Sequence, residues 1–191
     1  EMRIEIISGS ARKASQTKRV ALHLLRQLMS HEDVSVGLID LFEYSLPPVN
    51  DVFGSPDDAP NELREIAERL FLADAFILVT PEYNGSYSPA MKNFLDHFPK
   101  QYKKTFGIVS ASPGSMGGIR AAMQLQSLTY GLMGVGSPQM LIVPDVDKKF
   151  SPDGTLVDQT LQPSIASFLE NFLWLGHAVA HARVESVVKK C

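Results

Sequence analysis

The sequence predicts an α/β fold in which a parallel sheet lies between layers of helices. Three observations lead there. Short apolar runs rich in β-branched residues alternate with amphipathic runs of helical period, so that a strand-then-helix unit recurs five times. The run Ala75-Phe76-Ile77-Leu78-Val79 is apolar without a break, as in a strand covered on both faces. The segments after the first, third and fourth strands are dense in Gly, Ser, Pro and Asn, which suits loops at the rim of such a sheet. Right-handed crossovers turn this order into a doubly wound sheet.

Taken in order, residues 4–7 form strand one, within an extended run over 3–7. A helix starts near Ser15, with Val20, Ala21, Leu24, Leu25 and Leu28 as its buried stripe. Residues 34–39 are strand two, and 46–60, rich in Pro and Asp, are a loop. Asn61 is the expected cap of the next helix, whose inward face carries Leu63, Ile66, Ala67, Leu70 and Phe71. Strand three spans 75–79, and a short helix follows with Met91, Phe94, Leu95 and Phe98 facing in. Strand four is 106–109, a helix runs from about 118 to 133, and strand five is 140–143. The last helix buries Ile165, Phe168, Leu169, Phe172 and Leu173.

Composition narrows the function. The chain has 191 residues, 45% of them hydrophobic and 20% charged, an ordinary globular mix that fits one domain over 1–191. A net charge of −3 argues against nucleic acid or a membrane surface as partner, because neither anion gains from an acidic chain. Any phosphate must therefore be caught by a local group of donors. The one cysteine, Cys191, allows no internal disulfide and no Cys-pair metal site, which suits a reducing cytoplasm. No basic-then-apolar leader precedes strand one, and no apolar stretch reaches the ~18 residues of a membrane helix.

In an open parallel α/β sheet the ligand lies beyond the carboxyl ends of the strands, where the strand order reverses. The loop after strand one reads Ser8-Gly9-Ser10-Ala11-Arg12-Lys13-Ala14-Ser15-Gln16-Thr17. It offers hydroxyls at Ser10, Ser15 and Thr17, a cation at Arg12, and the free N–H groups of a helix start. That set matches a phosphate monoester, which carries close to two negative charges and several acceptor oxygens. The plainer reading is that Ser15 caps the helix while Arg12 and Lys13 are solvated. The loop is neither Gly-x-Gly-x-x-Gly nor a Gly-Lys-Ser/Thr P-loop, and the chain has no Gly-x-Ser-x-Gly elbow.

The loop after strand three, Thr80-Pro81-Glu82-Tyr83-Asn84-Gly85-Ser86-Tyr87-Ser88-Pro89, has a tightly specified backbone. Its N–H groups and the Asn84 amide could line the polar edge of a flat heterocycle, with Tyr83 as an aromatic surface beside it. Alternatively it is a rigid turn capped by Ser88. The loop after strand four, Ser110-Ala111-Ser112-Pro113-Gly114-Ser115-Met116-Gly117-Gly118, has glycines that admit close backbone approach and leads into a helix start. Its plainer reading is a flexible turn.

Three motifs in this order carry a family likeness: Gly9-Ser10-x-Arg12-x-x-Ser15, Pro81-Glu82-Tyr83-Asn84-Gly85-Ser86, and Lys92-Asn93-x-x-Asp96. With them the chain resembles, over nearly its whole length, the NADPH-dependent FMN reductase family, which includes quinone, azo-dye and chromate reductases. The resemblance implies a flavodoxin-like three-layer sandwich whose five-stranded parallel sheet has the order 2-1-3-4-5. It implies noncovalent FMN, with Ser10, Arg12, Ser15 and Thr17 around the phosphate and Gln16 beside them. Pro81, Glu82, Tyr83, Asn84 and Gly85 would lie along the isoalloxazine, and Ser112, Gly114, Ser115, Gly117 and Gly118 on its other side. Amides there would stabilise the negative charge of a reduced flavin.

The activity so implied is hydride transfer from NADPH or NADH, through FMN, to an acceptor such as a quinone, free flavin, azo compound or metal oxyanion. It would proceed in a cytoplasmic homodimer or homotetramer. The chemistry is borne by the flavin, so no catalytic side chain and no metal are expected. The alternative is a non-enzymatic flavodoxin-type electron carrier, for which a charge of −3 is modest. A flavin-free binding module on the same fold is a third reading.

His177 and His181, spaced i, i+4, could share a helix face, but no third ligand is evident and a packed or exposed face is expected. Phe172, Trp174 and Leu175 read as core or subunit contacts. Arg120 could reach a nucleotide phosphate or a partner subunit, Glu82 and Tyr83 could touch a partner, and Lys148, Lys149 and Asp153 read as a solvated turn.

Overall fold

A computed structural model describes residues 1–188; Cys191 lies outside them. Six strands, all paired in parallel, form one sheet: β1 (Met2–Ser8), β2 (Val34–Asp40), β3 (Ala75–Thr80), β4 (Thr105–Ala111), β5 (Val135–Gly136) and β6 (Leu141–Val143). Their order is β2-β1-β3-β4-β5, with β6 also on β4, as the resemblance implied. The strand expected at 140–143 is in fact the second of two short segments on β4. Pro138 lies between them, and a residue without an N–H cannot donate to a ladder.

The sheet is covered on both sides. Helices α1 (Thr17–Leu28) and α6 (Gln162–Val188) pack on one face against Ile4, Ile6, Ile77, Val79 and Val109. On the other, α2 (Arg64–Leu72), α3 (Pro89–Asp96) and α4 (Ile119–Gly131) cover Ile7, Phe76, Leu78, Phe106 and Ile108. Successive residues of a strand point to opposite faces, so two covered faces require apolar residues at every position. All six residues of β3 are buried accordingly. A four-residue helix, α5 (Val146–Lys149), links β6 to the segment before α6.

Two local expectations change. Asn61 opens a 3-10 turn, Asn61–Leu63, and makes no capping bond; α2 starts at Arg64 with Leu63 in the cap position. In α6, Phe172 is fully buried and Trp174 is 73% exposed, so of the two places expected for Trp174, core or subunit contact, the core is ruled out. His177 pairs with Asp33 at 2.9 Å, and His181 faces Glu185 at 3.8 Å. No helix among the described residues is long and apolar enough to cross a membrane.

One polar pair interrupts the α2 face. Glu5, on β1, is buried and accepts from Arg69 Nε at 3.0 Å and Nη2 at 2.6 Å, while Nη2 also donates to the Leu38 carbonyl at 3.0 Å. The forked guanidinium thus ties α2 to β1 and β2 at once. Glu5→Ala would strand that cation. Removing one partner of a fully buried pair costs about 3–5 kcal/mol, and the partial exposure of Arg69 reduces this to roughly 2 kcal/mol. Urea unfolding should read it as a lower midpoint with an unchanged slope.

Candidate functional site

β1 and β3 end in hydroxyl residues, Ser8 and Thr80, β4 carries Ser110 just before its last residue Ala111, and the loops beyond them build the site. The first loop leaves β1 with Gly9, whose N–H donates to the Val79 carbonyl at 2.8 Å. Ser10 Oγ accepts from the Arg12 N–H at 3.3 Å, and Ser15 Oγ accepts from the Lys18 N–H at 3.1 Å. Ser15 thus makes the capping bond expected of it, while Gln16 holds the cap position of α1. Lys18 is engaged by Asp40 at 2.7 Å, and this bond holds its ammonium above the ordinary range. Arg12 and Lys13 make no ion pair among the described residues, and of the two only Arg12 lines the cleft described below.

The second loop is anchored by Ser88. Its buried hydroxyl donates to the Gly9 carbonyl and accepts from the Met91 N–H at 3.1 Å, the first turn of α3. Pro89 at the first helical position completes that start. The Ser88 N–H donates to Thr80 Oγ1 at 3.2 Å, whose own hydroxyl donates to the Pro81 carbonyl at 2.7 Å. A Cβ on Gly9 would lie 2.7 Å from the Met91 methyl and 3.0 Å from the Val79 oxygen, so the first loop runs against α3 without room for a side chain.

Between them, Tyr83 and Ser86 exchange backbone hydrogen bonds at 2.9 and 3.1 Å, and Asn84 and Gly85 adopt φ of 51° and 81°. This is the type I′ turn that Asn-Gly favours. The Tyr83 and Ser86 amides, expected to face a ligand, are therefore bound to each other. Glu82 reaches away from the turn toward α4. Its carboxylate accepts from Arg120 Nε at 2.9 Å and Nη2 at 2.8 Å, and from the Ala121 N–H at 3.4 Å.

The third loop also satisfies much of its own backbone. Ser112 N–H donates to the Val143 carbonyl at 3.1 Å, Gly114 N–H to Ser112 Oγ at 3.0 Å, and Gly117 N–H to the Gly114 carbonyl at 3.1 Å. Gly117 and Gly118 have φ of 61° and 78° and are buried, Gly117 against the Ile142 side chain and the backbone of Val143 and Pro144. Their need for glycine is conformational.

A cleft of about 290 Å³ opens between the loops. It brings together Ser10, Arg12, Ser15, Gln16 and Thr17 from the first loop, Pro81, Glu82 and Tyr83 from the second, and Ser112 from the third. Ala14, Ala111 and Pro113, not singled out in the sequence, complete the walls. Asn84, Gly85, Gly114, Ser115, Gly117 and Gly118 lie outside them: the first two form the tip of the turn, and the rest shape the entry to α4. Ser88 holds the cleft together, yet in the sequence it read only as a cap. Its Ser-Pro context marks a helix start, but the bond to Gly9 spans 79 residues and has no local signal.

The donor set fits a phosphate monoester. Residues 8–17 contain no carboxylate, Arg12 is uncompensated, and the buried Ser8 hydroxyl at the head of the loop has no partner among the described residues. The Gln16 side-chain oxygen is also buried and has no partner; turning the amide presents N–H donors there instead. A second cleft of about 340 Å³ lies across Ala11, walled by Leu41, Phe42, Tyr44 and Leu46. It has no charged donor and does not compete for an anion.

A doubly wound parallel sheet in the order β2-β1-β3-β4-β5, with a hydroxyl-rich loop at its switch point, is the flavodoxin-like fold. A solved flavodoxin variant from Pseudomonas aeruginosa shares the fold, with a TM-score of 0.56 at 17% identity over 90% of this chain and 99% of that one. FerB, a flavoenzyme NAD(P)H:(acceptor) oxidoreductase from Paracoccus denitrificans, superposes with a TM-score of 0.74 at 22% identity, covering 92% of this chain and 97% of that one. The model of the NADPH-dependent FMN reductase family matches residues 2–146, and the chain belongs to that family. An FMN-dependent NADPH-azoreductase of Staphylococcus haemolyticus is 34% identical over 158 residues, 79% of this chain and 81% of the relative.

Ser88→Ala should destabilise the protein by about 1 kcal/mol through the lost cap. It should also weaken any ligand of the first loop, because the Gly9 carbonyl loses its tether. Thermal unfolding and equilibrium binding of FMN, measured on one preparation, check both outcomes.

Proposed function

We propose that this chain is an FMN-dependent oxidoreductase that passes a hydride equivalent from NADPH or NADH to a small-molecule acceptor. The observation that carries the proposal is the convergence, in one cleft, of an uncompensated Arg12 in the loop between β1 and α1 with residues 81–83 and 111–113 at the ends of the neighbouring strands. In this reading Ser10, Arg12, Ser15, Gln16 and Thr17 hold the phosphate. Pro81, Glu82, Tyr83 and Ser112 flank the ring, and the half-buried Tyr83 offers it an aromatic surface. Gly85, Asn84, Gly114, Ser115, Gly117 and Gly118 support it from behind by setting the shape of the two loops. Bound FMN supplies the two-electron chemistry, so the chain's contribution is binding, orientation and electrostatics. Hydride transfer needs the donor and acceptor atoms close and aligned, which rigid loops provide.

NADPH is the first donor to test, since the family and the staphylococcal relative carry it in their descriptions. An azo compound leads among the acceptors for the same reason, with quinones, free flavin and metal oxyanions beside it. The cytoplasm, which holds both nicotinamide donors, is the proposed location. Purified protein should be yellow, bleach anaerobically with NADPH, and oxidise NADPH steadily when an azo dye or quinone is present. A yellow protein that bleaches with dithionite and leaves NADPH untouched would make it an electron carrier.

Self-association is part of the reading. One side of α4 exposes Ile119, Met123 and Tyr130, flanked by Met116 and Met133, an apolar stripe suited to a second copy. Met123→Glu should halve the mass measured by light scattering while the fold, read by circular dichroism, is kept. Arg12→Ala should weaken FMN binding at least tenfold while turnover at saturating FMN falls less. Titration of apoprotein by flavin fluorescence, with kinetics at excess FMN, checks the split; unchanged affinity would remove the phosphate assignment.

A further inference from the structure

We infer that Arg120 serves as an electrostatic counterweight to Glu82, so that the wall of the cofactor cleft is neutral and the reduction potential of FMN bound there is raised. The inference rests on the FMN reading above. Glu82 lines the cleft, and its side chain is only 14% exposed. Reduction adds two electrons and one proton to a neutral flavin ring, and the product carries one negative charge. A buried carboxylate in the same wall would oppose that product by Coulomb repulsion at low dielectric.

Three donors meet the carboxylate. The guanidinium of Arg120 forks onto Oε1 at 2.9 and 2.8 Å, and the Ala121 N–H approaches Oε2 at 3.4 Å. The last belongs to the first turn of α4, whose N-terminal partial positive charge also favours an anion. No other cation pairs with Glu82 among the described residues. Glu82 is the second residue of the loop after β3, and Arg120 the second of α4, so the pair also joins the elements on either side of the ring site. Arg120 is therefore a positioning residue, committed to Glu82 rather than to a nucleotide phosphate.

The test compares parent, E82Q, R120A, R120K and the double variant E82Q/R120A, each loaded with FMN. The midpoint potential is measured by dye equilibration at low salt, and folding by thermal melts. R120A leaves a net negative wall and should lower the potential, changing the ratio of oxidised to reduced FMN affinity about tenfold, near 30 mV for a two-electron couple. E82Q leaves a net positive wall and should raise it by a similar factor. The double variant restores neutrality and should return to the parent value, and R120K, which keeps the charge, should stay close to it. If R120A fails to fold, E82Q and R120K decide alone.

Potentials unmoved by every substitution, or moved the same way by R120A and E82Q, overturn the inference while leaving FMN binding intact. A raised KM for NADPH in R120A at an unchanged potential also overturns it and makes Arg120 a nucleotide anchor. A parent that takes up no FMN defeats the cofactor reading itself.

Discussion

The buried hydroxyl of Ser88 joins two pieces of chain that have to be fixed relative to one another if an anion is to be held at this rim. It donates to the Gly9 carbonyl at the exit of β1 and accepts from the first turn of α3. A loop that binds phosphate through hydroxyls and backbone amides gains only if those donors are already in place, since ordering them on binding costs conformational entropy. The bond is buried and made between neutral groups, so neither salt nor pH competes with it directly. The Gly9–Val79 bond and the Thr80 hydroxyl bridge extend the same network across β1 and β3.

Beneath that rim the sheet is a rigid platform for a simple reason. Its central strands are apolar on both faces, and each face is sealed by a different set of helices. The buried charge on these strands, Glu5, is held bidentately by Arg69 and sits at the middle of β1, below the rim that carries the cleft. Loops at the carboxyl ends can then carry polar and positively φ-twisted residues without risk to the core, because the strands that present them are held independently.

Charge is distributed with equal economy. The chain is acidic overall, yet the stretch from Ser8 to Thr17 has no acidic residue, and its neighbour Lys18 is already matched by Asp40. Of the two cations left without an ion pair in this stretch, Arg12 and Lys13, Arg12 lines the cleft. On the far wall the carboxylate of Glu82 is matched by Arg120 and by the start of α4. The arrangement favours an anion at one end of the cleft and a neutral group at the other, which is the charge pattern of a flavin mononucleotide.

Much of this could be read from the sequence alone. The unbroken run at 75–79 implied a strand covered on both faces, the apolar spacing of Val20, Ala21, Leu24 and Leu28 placed α1, and Asn84-Gly85 marked a tight turn. These are local signals, set by side-chain period and backbone preference within a few residues. The hydroxyls and the cation of the first loop were the local basis for expecting a phosphate there, the assignment proposed above. What tertiary structure alone decided are relations between distant residues: Ser88 bonded to Gly9, Glu82 neutralised by Arg120, a fifth strand broken into two pieces at Pro138, and Trp174 left outside the core. No local propensity encodes such pairs, because each depends on where the sheet brings one loop against another, and that is determined only once every helix has packed.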